Sequence, residues 1–358
     1  MKTFEIYLIK LFLKKFLNIT AVFFCLVFIL SVFEEISFFK NWNIQIFFPF
    51  LMTLLSTPAT VFEIFPFIFL ISAQFFFIDL INKNELEVFK YTGLNNMKIM
   101  RLLFFTSFIT GLILIIFYYN ISSKLQFLYL DLKNKYSNDN KYLAVVTENG
   151  LWIKDEVDKN IYIVNADQIK DNFLERVSIS IFDSDFNLTQ IIESPKIDIS
   201  KTEWLIFNPR ISIDNKTSDD VEIFKLKTHF DKKKINSLFR NLSSLNVFQL
   251  YKLQNDYKSL GYSTKSVNSH LNKLISFPFY ISIMTILSSI IMLNVKRNKP
   301  LIFHIILGVF LSVLIYYFHF LFNLLGENGN IPILLSAWLP IIILTFIGFI
   351  GLVRINEK

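Results

Sequence analysis

The residues best suited to chemistry lie in a polar stretch between two long apolar runs. Acidic, apolar and basic side chains share residues 82–93, and their spacing predicts a short amphipathic helix that ends at Gly93. A helix of this length is unstable alone in water, so the pattern favours docking to a partner protein. A charged loop that rests on lipid headgroups is the alternative interpretation.

The sequence offers little for catalysis or for binding a metal. No glycine precedes a lysine, which excludes a nucleotide-binding P-loop. The four histidines are scattered, and His304 and His319 would lie roughly 20 Å apart on one helix, so they cannot share an iron atom. The single cysteine, Cys25, excludes an intrachain disulfide. We therefore predict no catalytic residue, no metal site and no cofactor.

One carboxylate lies inside a long apolar run, where charge is costly. This residue, Glu63, is flanked by Pro58 and Pro66, which cannot donate backbone hydrogen bonds. The pattern favours a structural role for Glu63 beside a helix break, and an aqueous cavity is the alternative environment.

Composition defines the elements that must position these residues. Of 358 residues, 53% are hydrophobic, 18% are charged and 42 are phenylalanine, and the mean hydropathy is +0.47. Such a chain cannot cover itself with polar surface in water. The formal net charge of +7 is concentrated at the ends of the apolar runs. This distribution is typical of membrane topology and argues against nucleic-acid binding.

Six apolar runs predict transmembrane helices of about 20 residues each. Five are clear, at 16–33, 102–121, 274–295, 301–325 and 331–353. The sixth run, 44–78, is long for one span and short for two. We predict a short helix or re-entrant segment over 44–56 followed by a span over 59–80, because this solution leaves the excess Lys and Arg on the cytoplasmic side, with both termini.

Apolar residues before the first span recur at helical spacing. Phe4, Leu8 and Phe12 alternate with Lys10 and Lys14 on the opposite face. The pattern predicts an interfacial helix on the cytoplasmic leaflet or, equally, an inward extension of the first span.

The insert between spans three and four, residues 123–265, is polar and has the pattern of β structure. Residues 177–181 alternate strictly, which predicts a strand with one buried face. Further β-rich runs lie at 142–146, 151–153, 161–164, 188–192, 197–199, 204–207, 211–213 and 221–226. Short strands at this spacing predict a sandwich or jelly roll. Asn246 and Gln249 then match a capping box, which predicts a helix closed by Gly261.

These features, in this order, resemble the LptF/LptG permease family of the lipopolysaccharide export ABC transporter. Residues 61–66 followed by 84–93 are similar to the family's second span and coupling helix. Glu85 and Gly93 fall on the characteristic acidic residue and glycine of that helix, whereas Lys90 stands where the family often has arginine.

The rest of the chain continues the resemblance. Residues 150–155 (Gly-Leu-Trp-Ile-Lys-Asp), residues 181–183 and Trp204 are similar to the family's periplasmic jelly roll. Residues 329–340, ending in Trp-Leu-Pro, resemble its last outer loop and span. The stretches 150–155 and 338–340 look closer to LptG, and LptF is the alternative.

The resemblance implies a polytopic α-helical membrane protein with six transmembrane helices. A periplasmic all-β jelly-roll-like domain would be inserted between helices 3 and 4. The implied organisation is 1–122 (interfacial helix, spans one to three and coupling helix 83–93), 123–265 (periplasmic domain and connecting helix) and 266–358 (spans four to six). The protein would reside in the inner membrane of a Gram-negative bacterium.

The resemblance also implies partners and a substrate. The chain would pair with an LptF-like sister permease on an LptB-like ATPase dimer, with an LptC-like bitopic protein attached. It would be a non-catalytic subunit that exports lipopolysaccharide, which fits a chain without a nucleotide site of its own.

Three sets of residues follow from this analogy. Coupling to the ATPase is assigned to Glu85, Leu86, Phe89, Lys90 and Gly93. Contact with lipid in the membrane cavity is assigned to Phe24, Phe28, Lys40, Phe310 and Phe318. The apolar groove of the periplasmic domain is assigned to Ile179, Ile181 and Ile199.

A membrane sensor or scaffold with an extracytoplasmic β domain is the alternative function. That class predicts a cytoplasmic output domain, whereas the cytoplasmic segments of this chain are short. Permeases with four spans and a large outer domain carry the insert after span one, whereas here it follows span three.

Overall fold

The computed structural model describes the chain except for a set of short gaps. The described residues are 3–40, 42, 45, 47–91, 95–136, 151–157, 160–170, 172–213, 216–218, 222–232, 235, 241–259, 262–294 and 300–356. Four sequence predictions, which concern the strand at 142–146, Gly93, Gly261 and the side chain of Lys90, lie outside them.

The chain divides into two compact units, which are described separately. One comprises Met1–Gln126 with Lys265–Lys358, and the other comprises Phe127–Thr264. The helices in chain order are α1 (Thr3–Phe39), α2 (Phe47–Asn82), α3 (Glu85–Tyr91), α4 (Asn96–Ile113), a π-helical segment (Leu114–Tyr119), α5 (Asn120–Asn134), α6 (Val247–Ser259), α7 (Lys265–Leu293), α8 (Leu301–Glu327) and α9 (Ile333–Asn356).

Within the described residues, six helical stretches have the length and composition of membrane spans. They are α1, α2, the continuous stretch from α4 to α5, α7, α8 and α9. The predicted six transmembrane helices are therefore confirmed. Each carries a central window with few charged residues, which matches the requirement of about 20 apolar residues to cross the hydrocarbon layer.

The predicted break in the second span is wrong. α2 is a single helix of 36 residues that passes through Pro58 and Pro66 without interruption. A proline removes one intrahelical hydrogen bond. Upstream of Pro58, the hydroxyls of Thr53 and Thr57 donate to backbone carbonyls one turn earlier, at 2.9 and 2.7 Å. These bonds satisfy the two hydroxyls inside the helix, whereas the carbonyl that Pro58 leaves without a backbone donor is that of Leu54.

The segment before the first span is the beginning of the same helix. α1 runs unbroken from Thr3, which is the inward extension and not a separate interfacial helix. Leu8 and Phe12 are buried, and the ring of Phe12 lies 6.3 Å from that of Phe69 and 6.0 Å from that of Phe76 on α2. Burial of these side chains against α2 explains their helical spacing.

The centre of the membrane unit is formed by α7 and α2. These helices bury 78% and 67% of their most apolar windows, against 17% for α1 and 22% for α8. A cluster of buried side chains joins α2, α7, α8 and α9: Leu70, Ile71, Tyr280, Ile283, Met284, Leu287, Ile315, Ile341 and Leu344.

Hydroxyl and amide groups connect the helices inside this centre. The Ser288 hydroxyl on α7 donates to the Leu70 carbonyl on α2 at 2.7 Å. The hydroxyls of Ser107 on α4 and Thr285 on α7 lie 3.0 Å apart. Small hydroxyl residues let helices approach closely and replace hydrogen bonds that lipid cannot supply.

The second unit contains one antiparallel sheet. Its strands are β1 (Leu151–Val157), β2 (Asn160–Lys170), β3 (Phe173–Phe182), β4 (Leu188–Asp198), β5 (Glu203–Phe207), β6 (Arg210–Ile213), β7 (Lys216–Ser218) and β8 (Ile223–Lys227). The order is β1-β2-β3-β4-β5-β8, with β6 paired to β4 and β7. The sheet curls into a half-barrel, which agrees with the predicted jelly-roll-like insert between spans three and four.

Alternation along the strands decides which face is buried. In β3, Val177, Ile179 and Ile181 are buried while Ser178 and Ser180 between them are partly exposed, as the sequence predicts. The indole of Trp204 in β5 is fully buried and donates to the Phe230 carbonyl at 2.7 Å. Pairing that indole N–H avoids the cost of an unsatisfied buried donor.

The predicted capping box at the start of α6 is confirmed. The Asn246 amide donates to Oε1 of Gln249 at 3.0 Å, and the Gln249 amide donates to Oδ1 of Asn246 at 2.9 Å. This reciprocal pair satisfies two amides that a helix start leaves without partners. Leu250 and Leu253 then bury one face of the helix.

The turn between β3 and β4 is closed by one carboxylate. Asp183 accepts hydrogen bonds from the backbone amides of Asp185 and Asn187 and from the Asn187 side chain. Donors aimed at the charged form hold the pKa of Asp183 below its usual value, the amide of Asn187 most of all.

Close packing between α8 and α2 generates a stability prediction. A Cβ atom on Gly308 would collide with the amide of Gln74, whose Nε2 donates to the His304 carbonyl at 2.7 Å. We expect Gly308→Ala to destabilise the protein by about 1–3 kcal/mol, because the buried Gln74 must move and lose this bond. The thermal midpoint of the purified full chain measures the effect.

Gly348→Ala is the matched control. A Cβ atom there would meet side chains at 3.7 and 3.9 Å, which is ordinary contact. Because alanine favours a helix over glycine, this variant should be neutral or stabilised by up to about 1 kcal/mol. Equal midpoints for the two variants would contradict the packing seen at Gly308.

Candidate coupling and lipid-facing sites

The short helix α3 follows α2 after a turn of two residues, and its side chains divide into two groups. Glu85, Leu86 and Phe89 are half-buried in the membrane unit. Val88 and Tyr91 are 56% and 88% exposed. The sequence analysis predicted that Glu85, Leu86 and Phe89 contact the ATPase. The apolar side chains that α3 exposes most are instead Val88 and Tyr91.

The exposed side of α3 is compact. Val88 and Tyr91 are three residues apart, and Glu87 lies four residues before Tyr91, so the three side chains are neighbours on the helix surface. Helical spacing predicts that these three side chains are neighbours. It does not predict which side of so short a helix packs against the rest of the protein.

The carboxylate of Glu85 has a partner on the first span. The Tyr7 hydroxyl on α1 lies 2.9 Å from Oε1 and 2.8 Å from Oε2 of Glu85. This contact joins residues 78 positions apart in the chain. No local sequence signal marks it, because Tyr7 looks like one more aromatic residue in an apolar helix.

A second polar contact joins α1 to the end of α2. Nζ of Lys15 lies 2.6 Å from Oδ2 of Asp79, and both side chains are about three-quarters covered. Between Tyr7 and Lys15, the buried Leu8 and Phe12 pack into the unit. The start of α1, the end of α2 and α3 are therefore held together by polar and apolar contacts.

The residues assigned to lipid lie on the two least buried spans, α1 and α8. Phe24 and Phe28 are half-buried and one turn apart on α1. Phe310 on α8 is 65% exposed, and Phe318 is half-buried with its ring 4.9 Å from that of Phe322. Lys40 is exposed directly after α1 ends. Exposed apolar side chains along membrane-spanning helices require lipid or another subunit as their environment.

A small cavity of about 60 Å³ lies among α2, α7 and α8. Glu63 lines it together with Lys273, Tyr316, His319 and Asn323. Glu63 therefore borders a cavity, and both its structural role and its contact with water stay predictions. The sequence analysis did not identify Lys273 as a neighbour of Glu63, because Lys273 lies just before the apolar run of α7.

His319 is held by its neighbours. Its ring stacks on Tyr280 with centroids 4.6 Å apart, and its Nδ1 lies 2.9 Å from Nδ2 of Asn323. Its Nε2 is buried without a hydrogen-bond partner in the described part of the protein. No cluster of three metal-binding side chains occurs within those same residues.

Two of the residues assigned to the apolar groove, Ile179 and Ile181, lie in β3, and the third, Ile199, directly follows β4. Ile179 pairs in register with Val164 on one side and Ile192 on the other. Ile179, Ile181 and Ile199 are all buried, as is Trp204. The three isoleucines are therefore buried core residues of this unit.

The stretch 150–155 ends in a buried carboxylate with a clear structural role. Asp155 in β1 accepts from the His229 amide at 2.8 Å and lies 2.9 Å from Nδ1 of the His229 ring. It also accepts from the amide of Glu156. The carboxylate thus fastens the chain after β8 to β1.

The sheet also carries a cleft of about 620 Å³ where β4 passes from β6 to β5. Arg176, Glu193 and Arg210 contribute charged groups to its lining. Arg176 and Asn208 have positive φ angles of 52° and 48°, which mark irregular backbone at this point. Arg176 forms an ion pair with Asp167 at 2.8 Å.

Six membrane-spanning helices with a curled β-sheet inserted between the third and fourth define a multi-pass membrane protein that carries one inserted β domain. The sequence matches the family described as "Lipopolysaccharide export system permease LptF/LptG" over residues 6–354. The chain belongs to this family, and its role is that of a transmembrane permease. It matches none of the curated proteins with which it was compared. The choice of LptG over LptF stays a prediction.

The buried position of Asp155 generates a prediction for the β unit. Asp155→Ala would leave the amide and ring of His229 without their acceptor, at a cost of about 2–4 kcal/mol. We expect faster hydrogen exchange in residues 151–157 and 222–232 of the full chain.

Asp167→Ala provides the comparison, because it removes a carboxylate from an exposed ion pair in the same unit. Exposed pairs contribute about 1 kcal/mol or less, so exchange should hardly change. If both variants behaved alike, Asp155 would not hold the segment after β8.

Proposed function

We propose that this chain is the permease subunit that extracts lipopolysaccharide from the inner membrane and passes it to a periplasmic bridge. A separate ATPase would supply the energy. The observation that supports this most is the family match over residues 6–354, which includes the spans, α3 and the inserted sheet. The sequence has no P-loop, so the chain needs an ATPase from another subunit.

The proposed topology places both termini and α3 in the cytoplasm and the β unit in the periplasm. Lys83, Lys98 and Arg101 flank α3, and Lys15 lies near the same end of the bundle. An excess of basic residues in short segments is the signature of the cytoplasmic side.

The ATPase partner, an LptB-like dimer, would receive α3 in a surface groove. Glu85 would pair with a basic side chain there, because a carboxylate and arginine form strong two-point hydrogen bonds. Val88 and Tyr91 would be the apolar anchors, since they are the exposed ones. Leu86 and Phe89 would hold α3 to the membrane unit, and Lys90 and Gly93 would complete the coupling segment.

Lipid would enter from the membrane between this chain and an LptF-like sister permease. The phenylalanines on α1 and α8, namely Phe24, Phe28, Phe310 and Phe318, would contact acyl chains. Lys40, exposed at the end of α1, would attract phosphate or acidic sugar groups at the periplasmic rim. ATP-driven displacement of α3 would move the attached spans and change the cavity.

The β unit would then hand the lipid to an LptC-like bitopic protein and the bridge. Acyl chains need a dry path, and the inner face of the curled sheet supplies apolar side chains, including Ile179, Ile181 and Ile199. All three are buried, so this step requires the half-barrel to open.

Charge reversal on α3 tests the docking proposal. Glu85→Arg should lower the amount of ATPase that co-purifies with the tagged chain at least about tenfold, because like charges would face each other in the groove. The sister permease should stay bound. Glu203→Arg, an exposed reversal in β5, is the control and should leave both partners in place.

Retention of the ATPase by Glu85→Arg would contradict this use of α3. Isolation of the wild-type chain alone, or with a signalling kinase and no ATPase, would favour the sensor function instead.

Charge at the rim of the membrane cavity gives a further prediction. Lys40→Glu should reduce the lipopolysaccharide that co-purifies with the complex several-fold, since a cation that attracts phosphate becomes an anion that repels it. Quantification of bound lipid A by mass spectrometry measures this change. Lys201→Glu, another exposed lysine, is the control, and unchanged lipid in Lys40→Glu would contradict a role for Lys40.

A further inference from the structure

Tyr7 stands out because its hydroxyl contacts the one acidic side chain that the coupling proposal uses. The oxygen of Tyr7 lies 2.9 and 2.8 Å from the two carboxylate oxygens of Glu85. A single hydroxyl donor placed between both oxygens restricts the rotation of the carboxylate. The contact also joins two separate helices, α1 and α3.

Further contacts on the same stretch of α1 make this junction rigid. Lys15 is eight residues after Tyr7, roughly two helical turns, and its ion pair with Asp79 fixes the end of α2. Leu8 and Phe12, which lie between them, are 1% and 0% exposed. Both α2, through Asp79, and α3, through Glu85, are thus attached to the same segment of α1.

The carboxylate still has capacity for another partner. An ionised carboxylate offers about four acceptor sites, and the Tyr7 hydroxyl supplies one proton. Glu85 is only half-buried, so the remaining sites are accessible from solvent. A bidentate cation such as an arginine could therefore bind Glu85 while Tyr7 stays in place.

We infer that Tyr7 is a positioning residue for ATPase docking. Its hydroxyl holds the Glu85 carboxylate in the orientation that accepts a basic side chain of the ATPase. It also ties α3 to the first span, so that displacement of α3 is transmitted to α1. This inference rests on the proposed function, because the partner of Glu85 is taken to be the ATPase.

The first test measures the affinity of the detergent-purified permease pair for the ATPase. Tyr7→Phe removes only the hydroxyl and should weaken binding by about three- to tenfold, the range expected for one partly exposed hydrogen bond to a charged group. Tyr251→Phe makes the same change at an exposed tyrosine on α6 and should leave binding unchanged.

A double-mutant cycle separates positioning from a general loss of structure. In a Glu85→Gln background, Tyr7→Phe should have no further effect on binding, because the charge that Tyr7 orients is gone. Additive losses would show that Tyr7 acts elsewhere and would overturn the inference. Tighter binding by Tyr7→Phe would also overturn it, since Tyr7 would then compete with the ATPase for Glu85.

Hydrogen exchange in the permease without ATPase distinguishes the two proposals. Tyr7→Phe, which removes the donor, and Glu85→Ala, which removes the acceptor, should each speed exchange in residues 83–91 to a similar degree, and the double variant no further. Unchanged exchange would refute the Tyr7–Glu85 link itself. Faster exchange with unchanged ATPase binding in Tyr7→Phe refutes the positioning role. If Glu85→Arg and Glu85→Gln also bind the ATPase normally, both the positioning role of Tyr7 and the proposed docking site on α3 are refuted.

Discussion

The contact between α2 and α7 is the interaction on which the rest of the membrane unit depends. Both helices are buried over most of their apolar length, unlike the helices around them. Apolar side chains gain little from leaving lipid for protein, so shape and hydrogen bonding must hold this pair together. The Ser288 hydroxyl on the Leu70 carbonyl and the Ser107–Thr285 contact supply that hydrogen bonding. Both prolines of α2 are accommodated within the same helix.

Because α2 and α7 occupy the centre of the membrane unit, the outer helices α1 and α8 are less buried than these two helices. α1 and α8 contribute a small part of their surface to the unit and expose large apolar residues along their length. For a permease of the LptF/LptG family, that surface is where lipid or a second permease subunit would lie. The same separation explains why α1 can carry polar contacts at its start, through Tyr7 and Lys15, and still present apolar side chains further along.

The β unit solves a different physical problem, because water surrounds it in the proposed topology. Alternating strands bury one face, and isoleucines from several strands and Trp204 are buried in this unit. Polar groups that must be buried are paired, as with Asp155 and His229. An apolar interior of this kind is both an ordinary core and, in the proposed function, a path for acyl chains.

The sequence by itself determined the six spans, most strands of the sheet and the capping box at Asn246, because each follows from local periodicity or spacing. It did not predict β7, which has only three residues, and it divided the long strand β4 into two runs. It also identified the family, through the order of its motifs. Tertiary structure alone decided three points. α2 continues through Pro58 because its burial among the neighbouring helices offsets the hydrogen bond that a proline removes. α3 turns Val88 and Tyr91 outward because its other side lies against the membrane unit, where Glu85 meets α1. Glu85 meets Tyr7 because the fold brings together residues 78 positions apart, and no local pattern encodes such a contact.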